Sequence, residues 1–151
     1  MARKPVLGRD LALDWLLGAF REDADLRPLR PGGIRRTDLD VVEDESNLAQ
    51  AVFNRLKTRK GELAGLGHPD YGSRHHELMG EPNVERTRNL IKLYILQALR
   101  DEPRIEKVLR ADVRADHDPP RETVRIELTI RPIGRQVPLN LVIPFMLEGG
   151  A

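Results

Sequence analysis

Four acidic side chains stand in or beside a glycine-rich stretch near the middle of the chain, and a pair of them could hydrolyse a glycosidic bond. These side chains are Glu62, Asp70, Glu77 and Glu81. The reaction needs two carboxylates across a cleft, one of them kept protonated by apolar surroundings. Because the chain holds 24 acidic residues, the presence of candidates does not by itself favour this chemistry. Carbohydrate hydrolysis stays an alternative interpretation.

Histidines could bind a metal ion, and the chain has four of them: His68, His75, His76 and His117. The adjacent pair His75 and His76 would point apart on a helix. No carboxylate follows either residue four positions later, so the pair lacks the partner that completes a zinc-binding helix face. We interpret all four as solvated loop histidines and predict no metal site.

Other catalytic chemistries lack the residues that they need. The chain has no cysteine, which excludes a disulfide framework and a thiolate site. The glycines at positions 61, 65, 67, 72 and 80 match neither the dinucleotide fingerprint nor the phosphate-binding loop. Neither Ser46 nor Ser73 lies in a nucleophile elbow. We therefore predict a protein without a cofactor and without a nucleophilic catalytic residue.

Glu102-Pro103-Arg104 places opposite charges two positions apart, directly after the longest helical pattern. Pro103 cannot continue a helix, and it biases Glu102 toward an extended conformation. On an extended segment the side-chain period of two sends Glu102 and Arg104 to the same face, so a carboxylate would lie beside a guanidinium. This arrangement suits docking to a partner better than catalysis.

Two long helices and a short one are expected to position these residues. An acidic run at 38–45 precedes apolar residues with helical spacing, so the first helix begins at the end of this run. It should end near Gly61, where a glycine follows basic residues. The second helix is predicted from about 84 to 100 with a broad apolar face. A short helix is predicted over 74–79.

After Pro103 the period changes from helical to alternating, which predicts an antiparallel meander of three strands. Apolar and polar residues alternate over 109–116 and again over 124–131. The third strand carries these apolar residues: Val137, Leu139, Leu141 and Ile143. Pro138 and Pro144 cannot donate ladder hydrogen bonds, so this strand belongs on an edge or ends quickly. Two main helices and a short one packed on this small meander make an α+β domain.

The N-terminal part of the chain is predicted to be an arm or linker over 1–36, followed by one domain over 37–148. Prolines and glycines between positions 26 and 33 oppose regular structure. The apolar run at 11–17 contains Asp14 and is too short for a signal peptide or a membrane span. We expect no membrane insertion, and a protein kept in the cytoplasm unless it leaves within an assembly.

The charge balance argues against nucleic acid as the main partner. Lys plus Arg number 25 and Asp plus Glu 24, which leaves a formal net charge of +1. A nucleic-acid-binding domain usually carries a strong basic patch. Charged residues make up 32% of the chain, so both signs are expected to be interleaved over a large solvated or protein-facing surface. A nucleic-acid module is the third and least favoured alternative.

Short motifs follow one another in a specific order along the chain. They are Asn47-Leu48-Ala49-Gln50-Ala51-Val52, Arg55-Leu56-Lys57-Thr58, Gly61-Glu62-Leu63, His68-Pro69-Asp70-Tyr71-Gly72, the long helix, Glu102-Pro103-Arg104 and Leu139-Asn140-Leu141-Val142-Ile143-Pro144-Phe145. In their order and spacing, over about residues 40–146, they resemble the baseplate-wedge family. That family includes tail-sheath initiators of contractile phage tails, type VI secretion baseplates and extracellular contractile injection systems, and its members are often labelled lysozyme-like.

The resemblance implies a non-enzymatic baseplate component, placed where the wedges meet the central hub and the first ring of sheath is laid down. It implies that Glu102, Pro103 and Arg104 contact the helical core bundle of neighbouring wedge proteins. It also implies that the C-terminal sheet accepts strands of the tail sheath protein, at the Val137–Ile143 strand or at the other edge of the meander. Hub or tube proteins would be further partners. The label leaves a muramidase acting on peptidoglycan through a loop carboxylate such as Glu62 as the alternative.

Overall fold

A computed structural model describes residues 6–15, 24–29 and 38–147 of the 151-residue chain. The chain divides into two compact units, residues 1–51 and 52–151, and each is described by itself. Its mixture of helices and antiparallel strands confirms the predicted α+β class. Among the helices within the described ranges, none is long and apolar enough to cross a membrane.

The first unit contains short strands that pair as three antiparallel ribbons, β1 with β6, β2 with β3 and β4 with β5. The strands are β1 (Arg9–Leu11), β2 (Leu13–Trp15), β3 (Ala24–Leu26), β4 (Pro28–Leu29), β5 (Asp38–Leu39) and β6 (Val41–Glu43). The ribbons contradict part of the expectation that residues 26–33 lack regular structure, because Leu26 and the two residues of β4 are paired. Pro28 is tolerated there as the first residue of its strand. Residues 30–33 lie outside the described ranges, and the division at 36/37 stays a prediction.

Three backbone hydrogen bonds join the ribbons in a ring where they meet. The N–H of Ala12 donates to the carbonyl of Asp40, the N–H of Asp40 to the carbonyl of Arg27, and the N–H of Arg27 to the carbonyl of Ala12, each at 2.9 Å. Ala12 is buried, and the Arg27 guanidinium pairs with the Asp40 carboxylate at 2.7 Å. We call Ala12, Arg27 and Asp40 the junction.

The junction residues occupy equivalent places in a short sequence repeat. Each is the third residue of an Asp-Leu-x-x segment that ends in leucine, proline or valine, at 10–13, 25–28 and 38–41. Each segment supplies one Asp-Leu step to a different ribbon. The repeat is the sequence signal that corresponds to these strands. Segments of four residues are too short to be recognised as strands among the surrounding prolines and glycines, so the ribbons were not predicted.

Helix α1 (Asp44–Lys57) matches the predicted first helix, with acidic residues in its first turn and basic residues in its last, as the helix dipole favours. Within the first unit, the buried side chain of Gln50 serves the strands. Its amide oxygen accepts from the N–H of Leu13 and its amide nitrogen donates to the carbonyl of Leu11, both at 2.8 Å. The Gln50 amide thus satisfies one backbone donor and one backbone acceptor that a neighbouring strand would otherwise satisfy.

Helix α2 (Glu85–Arg100) is the long core helix of the second unit, and its bounds agree with the prediction to within one residue. Its buried stripe consists of residues four positions apart: Ile91, Ile95 and Leu99. Two 3₁₀ helices, Ala64–Leu66 and Arg74–Leu78, lie in the glycine-rich segment that precedes helix α2. The second of them is the short helix predicted over 74–79.

A three-stranded antiparallel sheet follows helix α2, and it is the predicted meander. In spatial order its strands are β7 (Ile105–Ala115), β8 (Thr123–Pro132) and β9 (Leu139–Met146). Buried residues of β8 and β9 lie directly opposite each other, Ile126 with Ile143 and Leu128 with Leu141. Burial of an aliphatic side chain of this size contributes about 1.5–3 kcal/mol, so these pairs fix the sheet in the core of the unit. Strand β9 is an edge strand, as predicted.

The strands depart from the predicted alternation at Leu109 and Val137. Strand β7 shifts register between Val108 and Arg110, and this irregularity leaves the intervening Leu109 exposed although the alternation assigns it to the half-buried face. Val137, assigned by pattern to the third strand, precedes β9 and is exposed. Pro138 follows it immediately and delays the start of the ladder.

Gly72 lies close to the backbone that follows helix α1, in a left-handed conformation with φ of 100°. A Cβ there would lie 2.6 Å from the carbonyl oxygen of Thr58 and 2.8 Å from carbonyl atoms of Arg59. We expect Gly72→Ala to lower the free energy of unfolding by about 2–3 kcal/mol, because the left-handed backbone and the overpacked contact each carry a cost. Urea unfolding measures this loss. Gly65→Ala is the matched control, since nothing lies within 4 Å of its added Cβ; equal stability of the two variants would contradict the prediction.

Candidate functional site

Glu102, Pro103 and Arg104 connect helix α2 to strand β7. The N–H of Ile105 donates to the carbonyl of Glu102 at 3.1 Å, so the three residues belong to a turn. The extended segment expected from Pro103 is therefore wrong. Only residues 101–104 separate the helix from the strand, and a turn spans this short connection compactly.

The predicted pairing of the two charges is nevertheless present. The Arg104 guanidinium donates from Nε to Oε1 of Glu102 at 2.6 Å and from Nη2 to Oε2 at 3.1 Å, which is the two-pronged geometry of a strong ion pair. The side chain of Glu102 is 5% exposed and that of Arg104 is 30% exposed. The carboxylate is thus hidden, and the guanidinium is the member of the pair that a partner could reach.

A second arginine, Arg55 of helix α1, completes a cluster around Glu102. Its Nη2 lies 3.8 Å from Oε2 of Glu102, and its guanidinium carbon lies 4.6 Å from the centroid of the Tyr71 ring, within the range of a cation–π contact. We call Arg55, Tyr71, Glu102 and Arg104 the charge cluster. The sequence motifs contain Arg55 and Tyr71, but no local spacing links either residue to positions 102–104, so neither was predicted as a site residue.

The charge cluster holds its carboxylate in the ionised form. Burial alone would raise the pKa of the Glu102 carboxyl, but hydrogen bonds and charge from Arg104, with the charge of Arg55, outweigh burial and lower the pKa below its ordinary 4.5. Burial raises the pKa of the Tyr71 phenol, so Tyr71 is neutral at pH 7. The Arg104 guanidinium remains partly exposed beside this carboxylate, so it can also bind an acidic group of a partner.

An open groove of about 560 Å³ adjoins the charge cluster at Arg55 and Tyr71. Its lining is mostly polar: Arg55, Lys60, Gly67, His68, Pro69, Asp70, Tyr71 and Asp101. Pockets for small molecules are usually enclosed and lined by apolar side chains. This groove is shallow and polar, so it suits a segment of a partner protein better than a small ligand.

Strand β9 lies at one edge of the three-stranded sheet, and on its outer side no other described strand pairs with it. The N–H of Leu147 donates to the carbonyl of Glu122 at 2.7 Å, and this bond fixes which residues of β9 face β8. Since the direction of the backbone groups alternates along an antiparallel ladder, the N–H and C=O of Asn140 and Val142 point away from β8. Pro144 also has its nitrogen on the outer side, where a proline interrupts no bond to β8.

The residues predicted for this edge lie mainly on the inner side of the strand. Leu141 and Ile143 are buried and Leu139 is half-buried, while Val137 lies outside the strand. Their side chains hold β9 in the sheet. The backbone groups that a partner strand would meet belong to the intervening residues, because side-chain period and hydrogen-bond period coincide in a strand.

The opposite edge of the sheet, strand β7, is less suited to strand addition. It shifts register twice and carries five charged residues, whereas β9 carries none. Irregular, charged edges are the usual means by which sheets avoid pairing with another chain. Of the two edges that the sequence analysis left open, the structure therefore favours β9.

Two of the four histidines are buried, so their interpretation as solvated loop residues is wrong. The ring centroids of His75 and His76 lie 4.2 Å apart, and His75 also meets the ring of Phe145 edge-on at 4.6 Å. Nδ1 of His75 lies 2.8 Å from the Ser73 hydroxyl. The loop buries them because the Phe145 ring offers an apolar surface that the spacing of the histidines does not reveal. His68 and His117 are exposed, as predicted.

Burial makes His75 resistant to protonation. It lowers the pKa of the imidazole to about 3, and the nearby charges of His76 and Lys57 act in the same direction. His75 is therefore neutral in the folded protein throughout the physiological range. The neighbouring His76 connects the 3₁₀ helix Arg74–Leu78 to helix α1, because its Nε2 lies 2.8 Å from the carbonyl oxygen of Leu56.

The four carboxylates considered for hydrolysis are all exposed: Glu62, Asp70, Glu77 and Glu81. Exposure leaves them without the apolar surroundings that keep a catalytic acid protonated. Glu62 accepts from the N–H of Arg59 at 2.9 Å, and Glu77 pairs with Arg74 at 2.9 Å. Within the part of the chain that the structure describes, no cluster of three or more histidine, cysteine or acidic side chains could hold a metal ion.

Comparison with known proteins gives matches of two kinds, to a family model and to solved structures. The sequence model of a family described as baseplate wedge protein gp25 matches residues 42–134. A crystal structure from Geobacter sulfurreducens, of a protein provisionally named a tail lysozyme, is 27% identical over 71% of this chain and 94% of its own, with a TM-score of 0.60. A chain from the baseplate complex of the type VI secretion system is 22% identical over 67% of this chain and 91% of its own, with a TM-score of 0.52. No curated protein sequence matches.

Proposed function

Because the chain belongs to the baseplate wedge protein gp25 family, we propose that it is a structural, non-enzymatic baseplate component that docks on wedge proteins and initiates sheath assembly. The machine is a contractile phage tail, a type VI secretion system or an extracellular injection particle. The protein is made in the cytoplasm and stays in the baseplate, near hub and tube proteins. The uncharged free edge of β9 is the observation that carries this proposal.

Sheath initiation by strand addition needs an accessible ladder of backbone donors and acceptors. The outward groups of Asn140 and Val142 supply such a ladder, and the absence of charge along β9 removes the usual obstacle to pairing. Pro144 interrupts the row of donors, so an incoming sheath strand would pair with the first half of β9. The buried Leu141 and Ile143 keep this edge rigid.

We expect Val142→Pro to reduce the number of sheathed particles about fivefold, because it removes one outward donor, and a hydrogen bond contributes about 1 kcal/mol. The substitution leaves the β8–β9 bonds intact, since the N–H of Val142 points away from β8. Electron microscopy of particles assembled with the variant counts the sheaths. Val142→Thr is the control, because threonine keeps both the N–H and the β propensity. Normal sheath numbers with proline would rule out strand addition at this position.

Docking on the helical core bundle of the wedge proteins rests on the charge cluster. The exposed part of the Arg104 guanidinium can bind a carboxylate on the partner through charge-assisted hydrogen bonds. Pro103 lowers the ordering entropy of the turn that presents this group. The polar groove beside Tyr71 extends the surface on which a helical segment could rest.

We expect Arg104→Lys to lower recovery of the wedge proteins in co-purification about tenfold. Lysine keeps the charge but loses the planar fork that binds two oxygens at once, and a loss of 1.4 kcal/mol is tenfold in affinity. Arg100→Lys is the matched control, since Arg100 is exposed and lies at the end of helix α2. Equal recovery with both variants would exclude the docking role of Arg104.

The non-enzymatic part of the proposal draws support from the exposed carboxylates. A muramidase would need one of them in an apolar, protonated state, and Glu62 and Glu77 are instead engaged by neighbouring donors. The provisional name of the Geobacter sulfurreducens protein belongs to that protein. In this chain the buried charges of the charge cluster hold the turn after helix α2 in place. This structural role supports an assembly protein and not an enzyme.

A further inference from the structure

The first unit carries an apolar face that the proposed function does not use. The residues on either side of each junction residue are Leu11, Leu13, Leu26, Pro28, Leu39 and Val41. Their registers pair them directly across the ribbons, Leu11 with Val41, Leu13 with Leu26 and Pro28 with Leu39. We call these six residues the platform.

The pleat of the strands puts the platform on one face of the first unit. Successive residues of a strand point to opposite faces, so the neighbours of Ala12, Arg27 and Asp40 point away from the junction side chains. Arg27 and Asp40 pair on the junction face, and Ala12 is buried there. Each of the three ribbons thus contributes one cross-strand apolar pair to the same opposite face.

The platform is open to solvent. Leu11, Leu26, Leu39 and Val41 are 41–46% exposed, Pro28 is exposed and Leu13 is half-buried. Single surface leucines are ordinary in soluble proteins, whereas contiguous apolar patches of a few hundred Å² often mark interaction sites. The ring of junction hydrogen bonds gathers these side chains into one such patch.

Charge and size define what the platform can bind. All six platform side chains are uncharged, while the opposite face carries the Arg27–Asp40 ion pair, so the platform favours an uncharged, apolar partner. A stable interface buries about 800 Å² on each partner, and the exposed parts of these six side chains amount to roughly a few hundred Å², which falls short of that. The platform therefore suits a short segment whose docking supplements another contact, rather than a second copy held by this face alone.

We propose that the platform docks a short, uncharged apolar segment of a neighbouring baseplate wedge protein. This inference rests on the proposed function. The family match begins at residue 42, directly after the last platform residue, so the platform is an attachment point that precedes the family domain in the chain. The charge cluster would make a polar contact with the wedge proteins, and the platform would add an apolar one.

A single labelled cysteine tests the platform directly, because the chain has no cysteine of its own. The full chain carrying Leu26→Cys with a polarity-sensitive fluorophore should shift its emission to the blue when purified wedge proteins of the same assembly are added. Leu93→Cys is the control, since Leu93 is 48% exposed on helix α2 and belongs to neither the charge cluster nor the polar groove, so its label should not shift. If wild-type protein still co-purifies with the wedge proteins while the label at position 26 stays unchanged, the platform proposal fails and the proposed function stands. Failure of wild-type co-purification would overturn both.

A second variant separates the possible occupants. Leu11→Ser combined with Leu26→Ser should weaken wedge binding about tenfold, while urea unfolding reports whether the variant still folds. Sedimentation of the unmodified chain by itself tests whether a second copy is the occupant. If the chain forms a dimer and the double variant does not, the occupant is a second copy of the chain and the proposal is overturned. A monomer at all concentrations, together with the blue shift, is the expected result.

Discussion

Glu102→Ala is expected to lower the free energy of unfolding by about 3–5 kcal/mol, the range for breaking one partner of a buried ion pair. The loss exceeds the energy of the pair itself, because Arg55 stays behind with 9% exposure and loses the one ion pair that it makes among the described residues. The turn after helix α2 also loses the bond from the N–H of Arg104 to Oε1. Urea unfolding at pH 7 measures the change.

Two further variants make this result specific. Asp101→Asn removes the neighbouring carboxylate, which is exposed, and should cost less than about 0.5 kcal/mol. Glu102→Gln keeps an acceptor for Arg104 and should fall between alanine and wild type. Since the cluster lowers the pKa of Glu102 below 4.5, its contribution is complete above that pH and is lost as the pH falls through the lowered value. A loss of under 1 kcal/mol with alanine would show that the cluster does not hold the turn.

Acid sensitivity above pH 4.5 is expected to come from His75. Its pKa is about 3 in the folded protein against an ordinary 6.5, so the unfolded chain binds a proton that the folded chain refuses. Stability is therefore complete above pH 6.5 and falls as the pH drops toward 3. At about 1.4 kcal/mol per pH unit, the wild type should lose about 2–3 kcal/mol between pH 6.5 and 4.5.

The measurement is the free energy of unfolding as a function of pH for wild type and His75→Gln. The groups that face His75 are His76, Lys57, Ser73 and Phe145, and all of them remain in the variant. The slope between pH 6.5 and 4.5 should flatten in His75→Gln and persist in His68→Gln, which replaces an exposed histidine. An unchanged slope in His75→Gln would assign the acid sensitivity to another group.

Periodic segments of the sequence predicted the elements that bury a regular stripe. The spacing of Ile91, Ile95 and Leu99 defined helix α2, and the alternation around Ile126 and Leu141 defined the meander and its edge. Each of these patterns repeats over several turns or residue pairs, so tertiary contacts do not override it. The ribbons of the first unit escaped prediction, because strands of two or three residues show no period at all.

The candidate site was predictable only where its residues are neighbours in the sequence. Glu102 and Arg104 are two positions apart, and their pairing was predicted correctly, although they lie in a turn and not on the extended segment from which it was inferred. Arg55 and Tyr71 reach the same carboxylate from other parts of the chain, which no spacing rule indicates. The burial of His75 likewise depends on Phe145, a residue brought beside it by the third strand of the sheet. Contacts between residues so far apart in the sequence can be identified only once the fold is known.

The junction in the first unit affects how far the sequence can diverge while the structure is kept. Its three hydrogen bonds use main-chain groups only, and alanine, arginine and aspartate occupy the three equivalent positions. Such a structure makes little demand on residue type, so it can persist while the sequence around it drifts beyond recognition by pairwise identity. Relatives that share this element would be found by superposing backbones, and insertions at the far ends of the ribbons would lengthen the protein without disturbing its centre.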